Sequence, residues 1–230
     1  MLDEPLALTV HSLPVPQDAA SIDSKRTTGG RAKMLMVLAV CAAPVIASYF
    51  TYYVVRPNIK SSYGELVDPQ RPLPAVTATA LDASQVSLQA LRGQWLLVSV
   101  ASGACDAACE RNLYLQRQLR EGLGKEKERV DWVWLVSDNA PLRPQLLPAL
   151  SQATVLRVND AQIKAWLSPA QGHALEDHLF VVDPMGNWMM RFPALKGAAV
   201  DVEAAKKIKR DFERLLRASA SWDDAGRPGK

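Results

Sequence analysis

Along the first 33 residues apolar side chains keep no sustained period, and prolines and the pair Gly29-Gly30 break up what there is. A stretch of this kind buries too little apolar surface to offset its ordering entropy, so 1–33 reads as a disordered tail. From Met34 to Val55 the pattern changes to a continuous apolar run, MLMVLAVCAAPVIASYFTYYVV, without one charged residue. As a helix it would be about 33 Å long, enough to cross a bilayer core. Tyr49, Tyr52 and Tyr53 gather near one end, as interfacial aromatics do. Residues 56–74 turn polar and proline-bearing and read as a linker.

From residue 75 to 218 the rhythm alternates between strand and helix. QVSLQAL gives a short strand and turn, and WLLVSVAS (95–102) is a run of β-formers suited to a strand buried on both faces. Residues 107–122 read as a helix that Gly122 and Gly124 stop. VDWVWLVS (130–137) is a second buried strand, PLRPQLLPAL a loop with room for one turn of helix, ATVLRV (153–158) a shorter strand and DAQIKAWL (160–167) a short helix. HLFVV and NWMMRF flank DPMG, which has Pro and Gly where a tight turn wants them. Residues 201–217 carry a helical apolar stripe through Val202, Ala205, Ile208, Phe212, Leu215 and Leu216. Residues 219–230 read as a disordered tail. The order of elements predicts an α/β sandwich, a central sheet flanked by helices, behind one transmembrane helix.

Composition narrows the chemistry. A net charge of +3 over 230 residues does not point to nucleic acid as a partner. Three cysteines are too few for a disulfide scaffold. Lys25, Arg26, Arg31 and Lys33 precede the apolar run, which by the positive-inside bias puts the N-terminus in the cytoplasm and the large domain outside. A cleaved signal peptide would have a shorter apolar region and a shorter preceding tail. Outside, in a compartment such as a bacterial periplasm, thiols live under disulfide-forming pressure. Cys105 and Cys109 lie there, whereas Cys41 falls within the apolar run.

The cysteines stand in ASGACDAACE, directly after a strand and at a helix start. A spacing of four puts two side chains on one helix face. The positive end of the helix favours thiolate, while Asp106 and Glu110 oppose it. LRGQWLLVSVASGACDAAC, followed much later by HLFVVDPMGNWMMRF, resembles the thioredoxin-like superfamily, and within it the membrane-anchored Sco/SenC proteins. The resemblance implies a thioredoxin-like domain on an inner-membrane anchor, with the domain in the periplasm. It implies a role in cytochrome c oxidase biogenesis, with a copper-receiving oxidase subunit as partner. It also implies Cu(I) held by Cys105, Cys109 and a histidine; His178 and His173 are the two in the outer domain, neither in the family register, and His178, at the start of the strand that neighbours the cysteine loop, is the expected ligand. Asp106 and Glu110 stand where that family carries prolines. Two other readings stay open. One is a thiol–disulfide oxidoreductase working through the same pair, in which Asp177 stands where a general oxidoreductase carries a cis-proline. The other is a non-catalytic docking factor in respiratory-complex assembly.

Overall fold

A computed structural model describes residues 16–55, 62–195, 197 and 199–223. The chain forms two compact units, residues 1–59 and 60–230. In the first, helix α1 runs Pro16–Phe50 and closes with a π-helical turn at Thr51–Val55. Proline suits a first helical position because its missing N–H has no intrahelical partner there. The expected tail therefore lies partly inside this helix, and residues 1–15 fall outside the described ones. Among the described residues, Gly30–Val54 is apolar and long enough to cross a membrane, with a mean hydropathy of 2.0. Met34, Leu38, Val45, Ile46 and Phe50 all expose their side chains, as a lipid-facing helix does.

The second unit is built on an eight-stranded mixed sheet in the order β1-β8-β7-β4-β5-β6-β2-β3. The strands are β1 (Glu65–Pro72), β2 (Thr77–Ala80), β3 (Gln85–Ser87), β4 (Trp95–Ala101), β5 (Val130–Val136), β6 (Thr154–Arg157), β7 (Phe180–Val182) and β8 (Asn187–Arg191). Three helices join them: α2 (Ala107–Gly122), α3 (Asp160–Trp166) and α4 (Val202–Ser219). β4, β5 and β6 are parallel, with Ser99 beside Trp134 and Ala101 beside Val136; the outer pairs are antiparallel. The expected linker ends early, because Glu65–Pro72 pairs with β8 as an edge strand. Prolines are tolerated there, since an edge strand leaves part of its N–H row unused.

Alternation along the central strands sorts the core into two layers. Leu96, Val98 and Val100 of β4 join Val133, Leu135, Ile163, Trp166 and Trp188 on the α3 side. Trp95 and Leu97 pack with Leu115, Leu119, Ile208 and Phe212 beneath α2 and α4. α2 is also pinned to the sheet by a buried polar contact. Gln116 donates from Nε2 to the carbonyls of Leu97 (2.6 Å) and Val133 (3.1 Å), and its Oε1 accepts from the Ser99 hydroxyl (2.9 Å). Buried amides persist only when their hydrogen bonds are made, so this contact fixes the helix that carries the cysteines.

The described C-terminal stretch runs to Asp223. Asp223 is buried and accepts from Trp95 Nε1 (2.6 Å), Arg129 Nη2 (2.7 Å) and Ser219 Oγ (3.3 Å). Burial alone would lower the Arg129 pKa, but hydrogen bonds to Glu126 and Asp223 outweigh it and raise it. Residues 219–223, expected to be a tail, thus close the α4 side of the sheet; 224–230 lie outside the described residues.

Candidate functional site

The cysteine segment follows from the end of β4. The chain leaves the sheet at Ala101 and turns back through a hydrogen bond from Cys105 N–H to Ser102 O (3.1 Å). Cys105 adopts φ 45°, in the left-handed region that non-glycine residues seldom enter. Asp106 then caps α2, its Oδ1 accepting from the Cys109 N–H at 2.9 Å. The two thiols are joined as a Cys105–Cys109 disulfide, with their Cα atoms 5.1 Å apart.

Both cysteines are buried, Cys105 to 1% and Cys109 to 5% of full exposure. They belong to an apolar cluster with Ala101, Leu113, Trp132, Trp134, Val136, Leu150 and Val155. Leu142 and Leu146, from the segment after β5, pack on the same cluster. That segment is fastened beside the cysteine loop. Asp138 Oδ1 accepts from the N–H groups of Gly103 (2.8 Å) and Ala140 (3.1 Å), and its carboxyl is held below the usual range first by the Ser102 hydroxyl and then by the Gly103 N–H. Arg157 donates to the carbonyls of Asp138 and Ala140, and Arg143 pairs with Glu110, the residue after Cys109. Sequence reading took PLRPQLLPAL as a loop with one turn of helix, and a 3-10 helix runs Pro144–Leu150, but the contacts of the segment were not foreseen. Asp138 and Gly103 are far apart in the chain, and no local pattern announces such a contact.

His178 is fully buried at the turn Leu175–Asp177 that leads into β7. Asn112, one turn beyond Cys109 on α2, donates to Glu176 O at 2.9 Å and ties that turn to the cysteine helix. Both imidazole nitrogens are engaged. Nε2 accepts from Ala170 N–H (3.1 Å), so Nδ1 carries the proton and donates to Phe192 O (2.8 Å). Burial is the main cause that lowers its pKa, which agrees with a neutral ring. His173 stands edge-on to His178, ring centroids 5.7 Å apart, and its Nδ1 lies 3.5 Å from Asp177. Arg111 is buried next along α2; burial lowers its pKa against the opposing pull of Asp177 and Asp106, and it donates to Asn112 Oδ1 and Gly197 O. Cys41 is a free, exposed thiol on α1.

Copper was expected on Cys105, Cys109 and His178. As folded here these donors do not suit it. The sulfurs are bonded to each other, His178 has no free nitrogen, and among the described residues no three His, Cys, Asp or Glu side chains are grouped to hold a metal. A soft-metal site needs two thiolates and an imidazole lone pair at one point.

A strand leading into a cysteine-bearing helix, followed later by the antiparallel β7–β8 pair, is the arrangement expected from the sequence. A family model described as transmembrane-like, thioredoxin-like, C-terminal domain matches residues 95–219. The chain belongs to this family. The matched residues include the whole cysteine segment, the segment after β5 and α4. Among solved structures, apo Sco1 from Thermus thermophilus is 16% identical, with 70% of this chain and 98% of that one covered at a TM-score of 0.49. A SCO1/SenC family lipoprotein from Bacillus anthracis is 16% identical, covering 65% and 99% at 0.47. ScoI from Bradyrhizobium japonicum, described with copper bound, is 17% identical, covering 58% and 95% at 0.41. A search of curated proteins finds no significant match.

Proposed function

We propose that this thioredoxin-like domain performs thiol–disulfide exchange through Cys105 and Cys109 while held at a membrane by the apolar helix, as a Sco-like factor serving respiratory-complex assembly. The observation that carries the reading is the closed disulfide across the start of α2. It sits beyond the carboxyl ends of the parallel strands β4 and β5, where open α/β sheets place their chemistry.

The exchange balances within the pair. A partner thiolate attacks one sulfur, the S–S bond breaks, and the departing sulfur leaves as a thiolate that takes up a proton. The partner's second thiolate then attacks the mixed disulfide, so the domain is released as a dithiol and the partner as a disulfide. In the reverse direction the dithiol reduces a partner. The amino end of α2 favours the thiolate form, and Glu110 next to Cys109 disfavours it. Such a role suits a partner whose own cysteines must be reduced before they take a metal, and this is where a copper-receiving oxidase subunit fits. The basic residues ahead of the apolar helix favour an inner-membrane anchor with the domain in the periplasm.

The test uses the full chain in detergent micelles with Cys41→Ala as the parent. After reduction and desalting it is offered a small peptide disulfide. The parent is expected to reduce it while its own pair reoxidises, and Cys105→Ser and Cys109→Ser are each expected to lose turnover. A reduced parent that leaves the peptide disulfide intact overturns the proposal.

A further inference from the structure

Exchange needs a nucleophile to approach a sulfur roughly in line with the bond that breaks, and in the folded chain both cysteines are closed to solvent. The cover on one side is the segment after β5. Leu142 and Leu146 lie on the cluster that contains the disulfide. Two fastenings hold that segment against the cysteine loop. The first is backbone-close: Asp138 accepts from Gly103 N–H, and a Cβ added at Gly103 would sit 2.3 Å from the carbonyl oxygen of Ala140. Glycine is required there by the approach of the segment itself. The second is the ion pair between Arg143 and Glu110, whose side chains are 39% and 48% exposed. An ion pair that exposed is weak and screened by salt, so it can open without unfolding the domain.

We propose that residues 138–146 form a strap that shuts Cys105–Cys109 off from solvent, and that the Glu110–Arg143 pair is its latch. Glu110, Arg143 and Gly103 thereby determine which reductants reach the disulfide. The proposal rests on the exchange reading for its purpose, but its test does not use a protein partner.

The experiment follows reduction of the disulfide in the full chain, Cys41→Ala, in micelles, by tris(hydroxypropyl)phosphine. This reductant is uncharged, so changes in protein charge do not alter its approach. Phosphorus takes oxygen from water and becomes the phosphine oxide as the S–S bond gives two thiols, which are counted by alkylation and mass. Arg143→Gln and Glu110→Gln are each expected to speed reduction roughly two- to fivefold, the range of an exposed ion pair. The charge-swapped double variant, Glu110→Arg with Arg143→Glu, is expected to return to the parental rate. High salt should speed the parent and leave the single variants unchanged. Gly103→Ala should also be faster, through displacement of Ala140. Parental rates in both glutamine variants and no salt effect overturn the strap, whatever Gly103→Ala does to folding. If the latch variants are faster yet the reduced parent does not turn over the peptide disulfide, the strap stands and the exchange reading falls.

Discussion

At the scale of single residues, His178 acts as a post for backbone. Its ring receives the Ala170 N–H on one side and gives a proton to Phe192 O on the other, so it joins the loop after α3 to the end of β8. Protonation of Nε2 would remove the acceptor and leave Ala170 N–H facing a donor. Its pKa is lowered first by burial, with Arg191 and His173 adding to the shift while the Phe192 carbonyl and Asp177 oppose it. Because the folded value lies below the ordinary one, the unfolded chain binds more protons as the medium is acidified. Stability is therefore full above about pH 6.5, and falls as pH drops from there through the folded pKa. Thermal melts of the full chain should show the parent losing more between neutral and mildly acid pH than His178→Gln, whose amide does not titrate. Equal losses in the two would mean that the ring nitrogens are not held as described. The sequence made His178 prominent by position, but a ligand and a buried post look alike until the partners of both nitrogens are known.

At the scale of elements, what could be read in advance was whatever repeats locally. β4 and β5 stand out as mostly apolar runs, broken only by Ser99 and Asp131, because both their faces are covered, and α4 as a helical stripe that buries Ile208, Phe212 and Leu216. β1 escaped, since ELVDPQRP is polar, carries prolines and keeps most of its side chains in solvent. The strap escaped for another reason: its meaning lies in Asp138, Arg143 and Arg157 meeting partners that sequence spacing does not connect. The same holds for the end of α4, where Asp223 gathers Arg129, Trp95 and Ser219 in a site with side-chain exposures of 9% for Arg129 and 2% for Asp223. Removing Asp223 leaves Arg129 with Glu126, Leu216 O and Ser219 but takes away its buried carboxylate and the acceptor of Trp95. Asp223→Ala should therefore cost about 1–3 kcal/mol of unfolding free energy, read from denaturant unfolding of the full chain. A loss below about 1 kcal/mol would show that water replaces the carboxylate and that the C-terminal turn is not a lock.

At the scale of the molecule, an apolar helix of membrane-crossing length and a thioredoxin-like domain share one chain, and the domain's cysteine pair is oxidised and covered. A purely structural disulfide and an exchange centre differ less in geometry than in potential. Structural disulfides in extracytoplasmic proteins have reduction potentials below about −300 mV, whereas exchange pairs lie above that. The direct measurement is an equilibrium redox titration of the full Cys41→Ala chain against thiol buffers, with the Cys105 and Cys109 thiols counted at each potential. A reversible two-electron transition above about −300 mV is the expected result. A pair that stays oxidised throughout the range, in Arg143→Gln as well as in the parent, would contradict the account.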